Sequence, residues 1–157
     1  MVACKDADAM VTGNTRRYSS SLEKITKVVN SRPGEIMFGL NLIVNRGKII
    51  FICDTSVIEY PDAKQLAEMA KSASRVVKLF GIDPKVAFLS HSTFGEPATE
   101  RTKRLSDAVK ILKQSNVDFK FDGEMQPDVA LENIYKELYP FSEIVGNSNV
   151  LIMPSQH

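Results

Sequence analysis

The sequence has no tryptophan, only two cysteines and no long apolar run. Because a membrane-spanning helix needs roughly 20 apolar residues, no such helix is predicted. The first nine residues carry charges and lack the apolar core of a signal peptide, so a cytoplasmic location is predicted. Cys4 and Cys53 lack metal-site spacing, and Cys53 ends an apolar stretch, which predicts free thiols and an inert core residue.

An excess of one charge is also missing, since 20 Lys and Arg residues stand against 19 Asp and Glu residues. Such a balance lacks the excess of basic residues that binds nucleic acid or an anionic membrane, so neither is predicted as a partner. A length of 157 residues predicts one domain, residues 1–157. A chain of this size can bury roughly 70% of the surface that it exposes when unfolded.

Strand and helix patterns alternate through the first part of the chain. A short apolar piece at residues 9–11 precedes a helix whose predicted capping box is Ser20 with Glu23. Two runs rich in β-branched residues, 36–44 and Lys48–Cys53, predict an antiparallel hairpin.

The alternation continues through the rest of the chain. Asp62 and Gln65 predict the capping box of the longest helix, and Gly81 predicts its end. A short apolar run at 86–89 predicts a buried strand, followed by a turn and a helix that starts at residues 96–97. The remaining predicted elements are strands at 119–121 and 150–153 and a helical piece at 127–138.

Such alternation is typical of α/β proteins, whose parallel sheets are covered by helices on both faces. The sequence therefore predicts an α/β fold with three layers, αβα. Its sheet is predicted to be mostly parallel, with one antiparallel hairpin.

Polar residues follow several of the predicted strands, at 12–17, 90–95 and 122–124, with 54–55 as a fourth candidate. The carboxyl ends of parallel strands meet at one edge of a sheet, so these segments are expected to face one crevice. Hydroxyl, backbone N–H and guanidinium groups there suit a phosphate or a carboxylate. The predicted ligand-binding residues are Thr12, Asn14, Arg16, Ser90, Ser92 and Thr93.

Ordinary structural roles remain open for each segment. Residues 90–95 also fit a plain turn between a strand and a helix, and Arg16 with Arg17 fits a solvated approach to a helix. The carboxylates at 122–124 flank a glycine and fit a turn.

Catalytic signatures are not found in the sequence. His91 fits a satisfied loop histidine better than a general base, because a serine and a histidine that are adjacent do not make a triad. There is no P-loop, no G-x-G-x-x-G and no H-E-x-x-H or C-x-x-C metal signature. No catalytic residue and no metal ligand is therefore predicted.

A family resemblance runs collinearly over nearly the whole chain. It is carried by ADAMVTG at 7–13, PDAKQLAEMA at 61–70, FGIDPKVA at 80–87, DGEMQ at 122–126 and NVLIMP at 149–154. These segments resemble the phosphate acetyl/butyryltransferase family. Details at 13–19, 92–95, 117–119 and 139–141 resemble one branch more closely, the transferase-like C-terminal region of bacterial NADP-dependent malic enzymes.

The chain departs from the transferases of this family at two places. Where they usually have a histidine followed by threonine or serine after a glycine, this chain has Asn14-Thr15-Arg16. Where they continue the Ser-Thr loop with glycines, this chain has Phe-Gly-Glu-Pro at 94–97. The family's catalytic Ser-Arg pair and aspartate belong to a later segment that this chain does not contain.

The resemblance implies the fold of isocitrate and isopropylmalate dehydrogenases, as in phosphotransacetylase, and a fragment of a longer chain that corresponds to the inserted second domain. It implies a non-catalytic regulatory region that senses acetyl-CoA and forms a homodimer. The parent would oxidise and decarboxylate malate to pyruvate, with NADP and a divalent metal in its N-terminal part and no cofactor in this fragment.

The alternative that the resemblance leaves open is part of a true phosphate acetyltransferase, which moves acetyl between coenzyme A and phosphate. In either case the expected partner is an acyl-CoA or another phosphate-bearing metabolite.

Overall fold

The computed structural model describes residues 1–31, 33–45, 47–54, 56–95 and 98–153. These residues form two compact units, Met1–Glu35 and Ile36–His157, and each unit is described by itself. The single domain expected from the length stays a prediction.

The N-terminal unit contains a short 3-10 helix, Val2–Cys4, and helix α1, Tyr18–Thr26. α1 begins after Arg17 with no side-chain capping bond, so the predicted capping box of Ser20 and Glu23 is wrong. Ser20 already lies in the first turn, where its own backbone is helical, and the N-cap must lie outside the helix.

The apolar piece at residues 9–11 forms no strand, which corrects the prediction that residues 12–17 follow one. Met10 is 57% exposed and Val11 is completely exposed. Three residues that bury little apolar surface gain too little free energy to offset the entropic cost of a fixed strand conformation.

The second unit is built on a five-stranded sheet in the order β1-β2-β5-β3-β4. Its outer strand β1 pairs antiparallel with β2, and all other neighbours are parallel. The predicted α/β class, the mostly parallel sheet and the antiparallel hairpin are confirmed. The strands are β1 Leu40–Asn45, β2 Lys48–Cys53, β3 Lys85–Leu89, β4 Lys120–Met125 and β5 Val150–Ile152.

Helices cover both faces of this sheet. Val86 and Phe88 of β3 point into a core cluster with helices α2, Ala63–Leu79, and α3, Glu100–Gln114. The alternate residues of β3 pack into a second cluster with helix α4, Pro127–Leu131, and the segment that follows it. The side chains of a strand point alternately to its two faces, so these two clusters lie on opposite sides and make three layers.

The caps of α2 follow the sequence prediction. Asp62 Oδ1 accepts a hydrogen bond from Gln65 N at 2.8 Å, and Gln65 Oε1 accepts one from Asp62 N at 2.9 Å. Gly81 follows the last turn with φ +72°, a left-handed conformation that glycine adopts without a Cβ penalty.

Helix α3 starts later than predicted, at Glu100 rather than at residues 96–97, which lie outside the described residues. Thr99 is its N-cap, because the Thr99 hydroxyl accepts from Thr102 N at 3.2 Å. A threonine at the N-cap satisfies a free backbone N–H at this end, which sets Glu100 as the first helical residue.

Strand β4 is longer than predicted and runs through Gly123 to Met125, so the turn that the sequence left open at 122–124 is not formed. Gly123 has φ +144°, and a Cβ there would lie 2.8 Å from the Cβ of Phe88 on β3. The glycine therefore serves a close approach of two strands rather than a turn.

Within the described residues, every helix is too short or too polar to cross a membrane.

The helical piece predicted at 127–138 is divided into α4 and a 3-10 helix, Asn133–Lys136.

Candidate functional site

The loop of residues 90–95 follows β3 at the edge of the sheet where all four parallel strands end. We call this edge the carboxyl edge and the segment the β3 loop. Ser90 and Thr93 are half-buried in it, whereas Ser92 is fully buried. The Ser92 hydroxyl lies 3.3 Å from that of Ser90, so the three predicted ligand-binding residues of this unit lie together.

Backbone bonds fix the β3 loop to the end of β4. Ser90 N donates to Met125 O at 2.9 Å, and Phe94 N donates to Glu124 O at 2.8 Å. Gln126 adds two bonds, since its N donates to Thr93 Oγ1 at 3.2 Å and its Nε2 donates to the His91 carbonyl at 2.8 Å. The loop is therefore a rigid part of the edge.

The side chain of Glu124 bonds both to this loop and to α3. Its carboxylate is 1% exposed and accepts from Gly95 N at 2.6 Å and from Ser106 Oγ of α3 at 2.7 Å. Sequence reasoning placed Glu124 at a polar strand end but gave it only a turn as its structural role. The available signal was a carboxylate next to the apolar Met125 in a segment with strand character.

His91 is exposed, and its Nδ1 lies 3.5 Å from Ser90 Oγ, at the outer limit of a hydrogen bond. A triad also needs a carboxylate that orients the imidazole, and none is bonded to His91 among the described contacts. His91 lies in a loop, as predicted, and its lack of a catalytic role stays a prediction.

Asp54 directly follows β2, and its carboxylate accepts hydrogen bonds from the backbone of the next turn. Its Oδ1 accepts from Ser56 N at 3.0 Å and Val57 N at 3.1 Å, and its Oδ2 accepts from Ile58 N at 2.9 Å. The side chain is 2% exposed, so it closes the turn after β2 rather than facing a ligand. Its predicted companion Thr55 lies outside the described residues.

Three aromatic rings pack beside the β3 loop. Phe94 lies 5.2 Å from Tyr139 and 4.8 Å from Phe141, measured between ring centroids. Phe94 has φ +51°, an uncommon conformation for a bulky residue. The contact with Tyr139 is tilted and the contact with Phe141 is edge-type, and such arrangements stabilise aromatic pairs beyond their buried area, so they help to hold that conformation.

The other three predicted ligand-binding residues, Thr12, Asn14 and Arg16, are exposed and lie in the N-terminal unit. They line one pocket of about 490 Å³. Arg16 and Thr12 also line an apolar pocket of about 600 Å³ in the same unit. Each trio is thus assembled within its own unit, and the convergence of all six residues on one ligand stays a prediction.

The Cys53 thiol is buried in the core of the second unit. Burial, helped by the charge of Asp54, raises the pKa of the Cys53 thiol far above its ordinary value, as expected for an inert core residue. In the part of the chain that the structure describes, no three His, Cys, Asp or Glu residues cluster as metal ligands.

The chain matches the family model described as Phosphate acetyl/butaryl transferase over residues 1–157. It is 45% identical over 157 residues to an NADP-dependent malic enzyme of Rhizobium meliloti (strain 1021), covering 100% of this chain and 21% of that protein. It is 32% identical over 151 residues to a phosphate acetyltransferase of Bacillus subtilis (strain 168), covering 95% of this chain and 47% of that protein.

The fold matches a solved phosphotransacetylase from Streptococcus pyogenes with a TM-score of 0.87 and 28% identity, over 98% of this chain and 48% of that one. This chain therefore spans about one fifth of the malic enzyme and about half of the two transferases. On this match over its full length, the chain belongs to the phosphate acetyl/butyryl transferase family.

Proposed function

We propose that this chain is the phosphotransacetylase-like region of an NADP-dependent malic enzyme, where it senses acetyl-CoA, supports dimerisation and is itself non-catalytic. The observation that carries the proposal is the 45% identity to a malic enzyme over all 157 residues, against 32% to the Bacillus transferase. In this proposal, malate oxidation, NADP and the divalent metal belong to a part of the parent outside these residues.

Cationic residues near the carboxyl edge support the proposal that the ligand is anionic, as coenzyme A is. Arg101 and Lys103 are exposed in the first turn of α3, which follows the β3 loop. A cation at the N-terminal end of a helix interacts unfavourably with the helix dipole, at a free-energy cost of about 0.3–1 kcal/mol. A phosphate bound nearby would turn that unfavourable placement into an attraction.

The bonding of the β3 loop supports a non-catalytic role. The backbone N–H groups of Phe94 and Gly95 are already used by Glu124, and Ser92 is fully buried. Among the described residues of the loop, neither Ser90 nor Ser92 is both exposed and bonded to an oriented base. The loop can present Ser90 and Thr93 to a ligand without activating a nucleophile.

The exposed outer edge of the sheet supports the proposal that the chain forms a dimer. β1 carries the exposed apolar residues Leu42, Ile43 and Val44, with 43%, 43% and 65% of their surface accessible. It has no charged residue or proline that would discourage pairing with another strand. A second copy of this chain is the partner that we propose for this edge.

A second candidate is part of a true phosphate acetyltransferase. The TM-score of 0.87 against a solved phosphotransacetylase favours it, since the same layers could frame a transferase site. The residues that would complete such a site are not identified in this chain.

One experiment separates the two functions. Malate oxidation and acetyl phosphate formation are both measured in the full-length protein that contains this chain, with and without acetyl-CoA. A malate rate that responds to acetyl-CoA, with no acetyl phosphate formed, is the expected result. Formation of acetyl phosphate would establish the transferase instead, and absence of both effects would refute the proposal.

A further inference from the structure

Glu124 joins three elements of the second unit. Its two carboxylate oxygens accept separately, Oε1 from Gly95 in the β3 loop at 2.6 Å and Oε2 from Ser106 on α3 at 2.7 Å. Ser92 Oγ lies 3.5 Å from Oε1, a much weaker contact. A single buried side chain thus ties β4, the loop and the helix together.

A β-bulge places this side chain. Phe88 of β3 pairs with Gly123, but the next residue, Leu89, pairs with Met125. Glu124 is therefore the extra residue on β4 and has no partner on β3. Bulges redirect a side chain away from the regular alternation of a strand, and they are frequent next to functional sites.

A buried carboxylate is an unfavourable core group unless donors satisfy it. Both oxygens of the Glu124 carboxyl group have a close donor, Gly95 N at 2.6 Å and Ser106 Oγ at 2.7 Å, so this buried group is satisfied. The two bonds of Glu124 therefore hold the β3 loop and α3 in defined positions relative to β4.

We propose that Glu124 is a positioning residue for the acyl-CoA ligand. It fixes the β3 loop so that Ser90 and Thr93 face the carboxyl edge, and it links the state of this loop to α3 through Ser106. This inference rests on the proposed function, because that function supplies the ligand.

The test compares Glu124→Gln with a matched control, Asp122→Asn, in the full-length protein. Glutamine keeps the shape of Glu124 but replaces one acceptor oxygen by a donor, so it cannot accept from both Gly95 and Ser106. Asp122 lies on the same strand, is half-buried and accepts only from its neighbour Gly123 N, at 3.0 Å, among the described contacts.

Two quantities are measured for each protein. Calorimetry gives the affinity for acetyl-CoA, and hydrogen exchange with mass spectrometry gives the protection of the peptide that contains Gly95. Glu124→Gln is expected to weaken acetyl-CoA binding about tenfold and to speed exchange of that peptide, because the amide oxygen of glutamine is a weaker acceptor for the Gly95 N–H than a carboxylate oxygen. Asp122→Asn is expected to change affinity less than about twofold.

The outcomes separate this inference from the proposed function. Equal affinities of the two variants, or equal exchange at the Gly95 peptide, would overturn the role of Glu124. If the unaltered protein binds no acetyl-CoA, the proposed function fails, and exchange alone then decides whether Glu124 holds the loop. Should Glu124→Gln not fold, Ser106→Ala removes one of the two strong bonds, and an unchanged affinity there would contradict the proposal.

Discussion

Replacement of Gly123 by alanine tests the close approach of β3 and β4. The new Cβ would lie 2.8 Å from Phe88 Cβ and 2.9 Å from the Phe88 carbonyl oxygen. One of these neighbours is backbone, so the strands themselves must move apart. The backbone of Gly123, with φ +144°, is also unfavourable for any residue with a Cβ.

The two effects have separate magnitudes. A left-handed conformation costs a non-glycine residue about 1–2 kcal/mol, and overpacking a core adds about 1–3 kcal/mol. Gly123→Ala is therefore expected to lower the free energy of unfolding by about 2–5 kcal/mol, a large part of the 5–15 kcal/mol that is usual for a domain. The melting temperature would fall by about 4–20 °C.

Gly81→Ala is the matched control. Gly81 has φ +72°, but no described atom lies within 4 Å of a Cβ built there. Only the conformational cost of about 1–2 kcal/mol is expected. Urea unfolding of both variants gives the comparison, and equal losses of stability would refute the close strand contact at Gly123.

Three further predictions concern a cap, the thiols and an ion pair. Asp62→Ala should lower the free energy of unfolding by about 1 kcal/mol in urea, because it removes the capping box of α2. A thiol reagent should modify the exposed Cys4 but not Cys53 until the chain is denatured, because burial raises the pKa of Cys53. The pKa of Glu143 is lowered by its hydrogen bond and charge attraction to Lys120, so this pair should stabilise the fold above the ordinary glutamate pKa.

The sign of the Glu143 effect follows from that lowered pKa. The contribution is complete above the pKa of the unfolded chain and is lost as the pH falls through the lower folded value. Urea midpoints of Glu143→Gln and the unaltered chain should therefore differ at pH 7 and converge in acid. A difference that persists below pH 3 would contradict the prediction for Glu143. Unchanged stability of Asp62→Ala would contradict the capping prediction, and two reactive thiols in the native chain would contradict the prediction for Cys53.

The elements that sequence reasoning predicted well have local signals. The capping box of α2 and its terminal Gly81 lie within a few residues of the backbone groups that they satisfy. The hairpin of β1 and β2 is likewise set by two apolar runs and a short connection. The N-terminal helix shows the limit, since the spacing of Ser20 and Glu23 matches a capping box that the backbone does not use.

The features that were missed depend on contacts between distant segments. The role of Gly123 depends on Phe88, which lies 35 residues earlier and approaches only when β3 and β4 pair. The bulge at Glu124 depends on the same pairing, and its bond to Ser106 depends on where α3 packs. No spacing rule within one segment contains this information.

The position of the β3 loop was predicted, but its internal bonding was not. The alternation of strands and helices indicated that residues 90–95 would lie at the carboxyl edge, and they do. The burial of Ser92 and the internal use of Asp54 could not be read from their polar character alone.

The most direct test of the account is the affinity of the full-length protein for acetyl-CoA after substitution on each unit. Arg16→Ala and Ser90→Ala are compared with Arg17→Ala, since Arg17 is an exposed neighbour that lines neither pocket of the N-terminal unit. Loss of a bond to a charged ligand group should weaken binding about tenfold in both test variants and leave Arg17→Ala near the unaltered value. Test variants that bind as tightly as Arg17→Ala would contradict the account.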